Sequence, residues 1–236
     1  MTTVSWLTAR GLFGRRRFLL LFPLPLLLVA LAVVANSAGV DPGQWGGPVL
    51  ANLGLAVVLP VVALVVGTGA LGSEIDDGTV VHLLTKPLPR WQIILPKLAV
   101  ASGVTALTAA LPLFVAGVLA DSVGLGLALA AAALLGAVVY SALFLALSLV
   151  TRRPVLLGLV YVLIWEGLLN SMVAGTRVLS VQQYVVTITD RLAPTSLLKP
   201  TVGVSTALVM SLLIVVGFTT LAVRRLRSFS LAGETS

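Results

Sequence analysis

The sequence predicts an all-α membrane protein with six transmembrane helices and both termini in the cytoplasm. Of its 236 residues, 58% are hydrophobic and 10% are charged, and the mean hydropathy is +1.12. These values lie far outside the range of soluble domains. The apolar residues form long uncharged runs with cations at their ends, as in a chain that crosses a bilayer several times. We expect a single membrane-spanning domain over residues 1–236.

Six apolar segments are long enough for a membrane crossing, which takes roughly 20 helical residues. We place them at about residues 18–36, 48–72, 98–120, 122–150, 154–173 and 201–223. Pro23 and Pro25 stand in the first turns of the first segment, where a missing amide donor costs a helix least. Asp121 and Ser122 leave only a tight turn between the third and fourth segments. The fourth is rich in Ala and Gly, which lets helices approach closely in lipid.

The distribution of cations predicts the orientation. With the N-terminus in the cytoplasm, only three of the fifteen cations lie outside, namely Arg177, Arg191 and Lys199. Cytoplasmic loops carry the excess of Lys and Arg in membrane proteins, so this count favours six spans with both ends inside. The net charge of +7 is explained by topology rather than by one basic stripe, and we expect no nucleic-acid partner.

A polar loop over residues 73–97 joins the second and third segments on the cytoplasmic side. Its first residues, from Ser73 to Asp77, include three acids behind a serine. Serine is a common N-cap, and negative charge is favoured in the first helical turn. Two prolines and two cations follow within residues 86–90. We therefore predict a short cytoplasmic helix that begins at Ser73, followed by a rigid turn back to the membrane.

On the outer side, residues 174–200 form another long connector. Val181 and Val185 belong to an apolar set spaced by three and four residues, with Gln182 and Thr187 on the opposite, polar side. This spacing predicts an interfacial helix on the outer face, between the fifth and sixth spans. The many β-branched residues leave a strand open as the alternative.

The residues that catalysis or metal binding would require are scarce. The chain has no cysteine and one histidine, His82, which excludes thiol chemistry and Cys/His metal clusters. A phosphate-binding loop ends in Gly-Lys-Ser/Thr, whereas Lys86, Lys97 and Lys199 follow Thr, Pro and Leu. We expect no catalytic residue, no metal site and no cofactor in this chain. A membrane enzyme that uses His82 is the alternative.

Glu166 is the one acid inside a predicted span. An ionisable group at such a depth is costly unless it faces a partner, water or a cavity. Glu166 either hydrogen-bonds a neighbouring helix near the outer interface or lies in a translocation pathway. It is also the one candidate for coupling in an ion-gradient-driven carrier or channel, since such proteins place ionisable groups near the bilayer centre.

The polar loop resembles a motif of the ABC-2 type transporter permeases. A glutamate, a Gly-Thr pair, a leucine pair, a proline, an arginine and a lysine recur in that family at such spacing. The matching residues are Glu74, Gly78, Thr79, Leu83, Leu84, Lys86, Pro87, Arg90 and Lys97. The arginine-rich N-terminal stretch and the six-span plan are also similar, so the resemblance covers nearly the whole chain. Pro89 departs from the pattern, because many members carry a small polar residue there.

The resemblance implies a permease subunit of an ABC exporter in the cell membrane, without a motor of its own. In that family two permease subunits, identical or related, pair with two cytoplasmic ATP-binding subunits that hold ATP and Mg. A coupling helix in the first cytoplasmic loop rests in a groove of the ATPase. The ATPase contacts carried over to this chain are Glu74, Asp77, Gly78, Thr79, Lys86, Pro87 and Arg90. The expected cargo is hydrophobic or amphipathic, and membrane lipid is a further partner.

Overall fold

The computed structural model describes residues 21–76, 89–169 and 174–232, and all regular structure in these ranges is helical. The α-helices are α1 (Pro23–Ser37), α2 (Pro42–Gly47), α3 (Leu59–Asp76), α4 (Trp91–Ala120), α5 (Val123–Val150), α6 (Pro154–Val160), α7 (Val181–Leu192) and α8 (Val204–Ala232). Two π-helical segments, π1 (Pro48–Val58) and π2 (Tyr161–Leu169), and a 3-10 helix (Ala174–Leu179) are also present. The predicted all-α class is confirmed for the described residues.

Within the described ranges, four helices are long and apolar enough to cross a membrane. They are Pro42–Ala70, Trp91–Ala120, Val123–Val150 and Val204–Leu226. The first of these runs through α2, π1 and α3. The first and fifth predicted spans correspond to shorter apolar helices, Pro23–Ser37 and Pro154–Leu168. The predicted number of six spans and their orientation therefore stay predictions, while a multi-pass helical bundle is shown.

Helix α5 lies at the centre of the bundle, where it packs against α3, α4, α7 and α8. In its most apolar window 72% of the residues are buried, against 17% in α8, so α8 presents most of its surface to the surroundings. A Cβ added at Gly126 of α5 would lie 2.7 Å from the backbone oxygen of Phe114 in α4. The small residues of the fourth span thus allow the close backbone approach that the sequence predicts.

The tight turn predicted at Asp121 and Ser122 is confirmed. Helix α4 ends at Ala120 and α5 begins at Val123. Ser122 caps α5, since its hydroxyl oxygen accepts a 3.2 Å hydrogen bond from the amide of Leu125. Such capping satisfies an amide that has no partner within its own helix.

The prediction of a helix N-terminus at Ser73 is wrong. Helix α3 continues to Asp76, so Ser73 and Glu74 lie in its last turns, and the backbone amides there belong to an existing helical ladder. The third span also begins earlier than predicted, at Trp91. We call the region where α3 ends and α4 begins the loop end of the bundle. The rest of the predicted coupling helix lies outside the described residues.

The predicted helix between the fifth and sixth spans is present as α7, at the opposite end of the bundle, which we call the connector end. The sequence places Gln182 and Thr187 on the polar side of this helix, opposite its apolar edge, yet both are buried. Each is held by a hydrogen bond: the Gln182 amide donates to the Ala51 carbonyl at 2.9 Å, and the Thr187 hydroxyl donates to the Val202 carbonyl at 3.0 Å. Hydrogen-bonded polar groups can be buried at little cost, so α7 packs into the bundle.

Candidate functional site

A cavity of about 650 Å³ lies at the connector end, between the helix formed by π1 and α3 and the helix formed by α6 and π2. These two helices and the connector supply its lining, which comprises Asn52, Ala56, Val57, Val61, Leu159, Val162, Leu163, Glu166, Gly167, Arg177, Gln182, Gln183, Lys199 and Thr201. The side chain of Leu163 is 65% exposed, so the cavity opens at the surface of this chain. Both π-helical segments border it, and such segments are rare and often mark functional sites.

Glu166 lies at the cavity wall and is 2% exposed. Its Oε1 accepts hydrogen bonds from the hydroxyls of Tyr140 at 3.0 Å and Tyr161 at 3.1 Å and from the amide of Val181 at 3.0 Å. Its Oε2 accepts from the Ser180 hydroxyl at 2.5 Å. Four donors therefore replace the water that the carboxylate loses on burial. The glutamate joins α5, π2 and the N-terminus of α7.

Phe144 holds the two tyrosine donors of Glu166 in place. The rings of Tyr140 and Phe144 stack with centroids 6.0 Å apart and planes 8° apart. Phe144 and Tyr161 meet edge to face at 6.2 Å and 79°. Both geometries are favourable for aromatic pairs. Since the rings pack against each other, the hydroxyls that reach Glu166 are fixed by apolar packing as well as by hydrogen bonding.

The connector side of the cavity is also tied down by hydrogen bonds. The Thr201 hydroxyl donates to Oε1 of Gln183 at 2.8 Å, and Gln182 holds the Ala51 carbonyl of π1 as described above. The Tyr184 hydroxyl donates to the Val178 carbonyl at 2.5 Å. Burial, and to a smaller extent the charge of Glu166, raises the pKa of Tyr184 to about 12. The phenol therefore stays protonated and remains a donor at neutral pH.

A second arrangement lies at the loop end, where Lys97 of α4 is completely buried. Its Nζ donates a 2.9 Å hydrogen bond to the backbone carbonyl of Ala70 in α3. A backbone carbonyl oxygen has two lone pairs, so Ala70 can accept this bond although it lies inside α3. Lys97 thus links the two helices that flank the polar loop.

The structure places only two of the predicted ATPase-contact residues. Glu74 lies on the last turns of α3, and Arg90 immediately precedes α4 and is half-buried. The remaining predicted contacts, Asp77, Gly78, Thr79, Lys86 and Pro87, lie outside the described residues, as does His82. Among the described residues, no group of three or more His, Cys, Asp or Glu side chains could hold a metal ion.

The hydrogen-bond donors around Glu166 were not predicted from the sequence. The chain has only three tyrosines, and Tyr140, Tyr161 and Tyr184 all lie at or near this carboxylate. All three tyrosines stand in spans four and five and in the connector. This distribution of a rare residue type was a sequence pattern that indicated a shared site. Ser180 was a weaker one, because its place before α7 indicates a cap and says nothing about a second bond to Glu166.

A comparison with protein families finds that residues 10–227 match the family described as ABC-2 family transporter protein. This range includes both the cavity and the polar loop. The chain matches no curated protein.

Proposed function

Because the chain belongs to the ABC-2 family of transporter proteins, we propose that it is a permease subunit that exports a hydrophobic or amphipathic cargo with ATP hydrolysed elsewhere. Members of this family are membrane components of transporters and are not themselves catalytic. The proposal includes separate ATP-binding subunits and a second permease subunit. It also includes the direction of transport, which is export, and a location in the cell membrane.

The observation that carries the proposal is family membership in a chain that has no phosphate-binding loop. None of its three lysines follows a glycine, so the loop that would surround a nucleotide with backbone amides is missing. We therefore assign ATP and Mg to separate cytoplasmic subunits. The positive-inside distribution of cations supports a polar loop that faces those subunits.

The loop end supports a role in coupling to the motor. Glu74 lies in the last turns of α3 and Arg90 immediately precedes α4, so the two residues flank residues 77–88. The Nη1 atom of Arg90 is buried and has no hydrogen-bond partner within the described part of the chain. Since Nη1 is enclosed by the chain itself and Arg90 as a whole is half-buried, we propose that the part of this side chain that stays exposed meets the ATPase groove. Lys97 would pass movement of the loop to α3 and α4 together.

The cavity supports a translocation pathway. It lies between two membrane helices, and its walls include the exposed Leu159 and Leu163. Large apolar side chains at an open wall suit either lipid or a second permease subunit. We propose that a second subunit closes the cavity there. In this arrangement Glu166 shapes the wall by fixing α7, and its oxygens are already occupied by four donors.

The direct test is to purify the tagged chain in mild detergent and to measure which ATPase accompanies it. We expect the double charge reversal Glu74→Lys with Arg90→Glu to remove the ATPase while the permease remains folded. The matched control is Asp121→Lys with Arg191→Glu, which reverses an acid and a cation outside the loop end, and it should retain the ATPase. Transport in sealed vesicles that needs no nucleotide and stops when an ion gradient collapses would contradict the proposal and favour a secondary carrier.

A further inference from the structure

The cavity has a polarity gradient along the two helices that form it. Towards the loop end its lining is apolar, and Val61 and Leu159 are the lining residues nearest that end along the two helices. Towards the connector end the lining turns polar, beginning with Asn52 on one helix and Glu166 on the other. An occupant that matches both halves has an apolar part between the helices and a polar part beneath the connector.

The charges at the polar half have one predominant sign. Arg177 and Lys199 line the cavity from the connector, and Glu166 is the acid of the lining. Both Glu166 oxygens already accept hydrogen bonds from within the chain, and the carboxylate is almost fully buried. Arg177 is half-buried and Lys199 is exposed, so both cations are accessible to a ligand in the cavity, and Arg and Lys are the side chains that bind phosphate and carboxylate groups.

The cavity size and its fixed polar wall fit a small ligand. Its volume of about 650 Å³ falls within the range of roughly 300–1,000 Å³ typical of ligand pockets. Gln182 and Gln183 are held by hydrogen bonds to Ala51 and Thr201, so little ordering is needed when a ligand binds.

We propose that this cavity binds an amphipathic anion, with its phosphate- or carboxylate-like head at Arg177 and Lys199 and its apolar chain along Val61, Val162 and Leu159. The inference rests on the proposed function, because it names the class of cargo that the permease moves. The same chemistry is offered by an anionic membrane lipid and by a single-chain anionic amphipath, and the experiment below separates these two sources.

The test is a scintillation proximity binding assay on the full purified chain in neutral detergent, with radiolabelled dodecyl phosphate as the probe. We expect saturable binding that neither dodecyltrimethylammonium nor inorganic phosphate displaces, since the first lacks the anion and the second lacks the chain. Displacement by phosphatidylglycerol would identify a site that also accepts an anionic lipid. Failure of phosphatidylglycerol to displace the probe would identify a single-chain cargo.

Two kinds of variant locate the site. The double variant Arg177→Gln with Lys199→Gln should raise the dissociation constant by about tenfold or more, because it removes two charge-assisted contacts. Ala56→Phe should do the same while leaving both cations in place, because the ring fills the apolar half. The control Arg152→Gln with Arg153→Gln removes the same charge at the loop end and should leave the dissociation constant unchanged.

Displacement of dodecyl phosphate by dodecyltrimethylammonium, or anion binding that is unaffected by both cavity variants, would overturn this inference. Co-purification of an ATPase is measured independently. If the ATPase is retained while the anion does not bind, the cargo assignment fails and the permease function stands. If no ATPase accompanies the chain, the proposed function fails whatever the chain binds.

Discussion

The Nζ atom of Lys97 lies 2.9 Å from the backbone oxygen of Ala70, twenty-seven positions earlier in the chain. Lys97 belongs to α4 and Ala70 to α3, so the hydrogen bond spans the two helices on either side of the polar loop. A fully buried lysine is rare unless its charge is compensated. The position of this bond makes α3 and α4 a paired unit at the loop end.

We expect Lys97→Met to lower the free energy of unfolding by about 1.5–3 kcal/mol, the range for a hydrogen bond that involves a charged group. The methionine keeps most of the side-chain volume but leaves the Ala70 carbonyl without this donor. Thermal unfolding of the purified protein measures the change. Arg224→Met is the control, because Arg224 is exposed on α8 and its loss should change stability little. Equal effects of the two substitutions would contradict the role of Lys97.

Glu166→Ala should destabilise the protein by about 2–5 kcal/mol, because it leaves several buried donors without an acceptor. Glu166→Gln should cost less, since its amide oxygen still accepts from Tyr140 and Val181. Chemical unfolding in detergent compares the two variants. Asp190→Ala serves as the control: this acid accepts a long 3.4 Å hydrogen bond from the Thr195 amide and is half-buried. If alanine at Glu166 were as well tolerated as at Asp190, the glutamate would not be what holds α7.

Gly126→Ala should lower stability by about 1–3 kcal/mol, the usual cost of overpacking. The new methyl group would lie 2.7 Å from both the Phe114 carbonyl oxygen and the Val118 Cγ2 atom, so α4 and α5 would have to separate. Gly103→Ala is the matched control in α4, since nothing lies within 4 Å of its added Cβ. We expect it to be neutral or to stabilise by up to about 1 kcal/mol. Melting temperatures of the two variants, measured side by side, show whether α4 and α5 are too close to accept a methyl group at Gly126.

The predicted orientation can be tested directly because the chain has no cysteine. Single cysteines at Asp121 and Thr195 should react with a membrane-impermeant maleimide in intact cells, since both positions are predicted to lie outside. Cysteines at Arg153 and Arg224 should react only after the membrane is opened. Labelling of Arg153→Cys in intact cells would reverse the topology, and labelling of Asp121→Cys only after lysis would break the six-span prediction.

Composition and periodicity predicted the helical class, the turn at Asp121 and the existence of α7, because each depends on local sequence. They did not predict the features that depend on tertiary contacts. Ser73 has the residue type of an N-cap, but α3 continues to Asp76. Ser73 therefore lies inside a helix, where the backbone amides are already bonded and need no cap. Gln182 was placed on the polar side of α7, but it is buried, and its hydrogen bond to Ala51 makes that burial inexpensive.

The candidate site was predictable in part. Glu166 stood out as an acid in an apolar segment, and that alone required a partner or a cavity. The π-helical segments that border the cavity have no sequence signature comparable to proline or glycine. They became visible only in three dimensions, as did the grouping of Arg177 and Lys199 with residues of π1 and π2.

The hydrogen bonds of Glu166 come from parts of the chain that the ribosome makes at different times. Tyr140 and Tyr161 precede the glutamate, while Ser180 and Val181 follow it. When only the chain up to Glu166 has been made, two of the four final donors exist, and the other two are supplied later by Ser180 and Val181. We expect a chain truncated before Ser180 to be less stable in the bilayer than the full chain, because its buried carboxylate lacks two of these four donors.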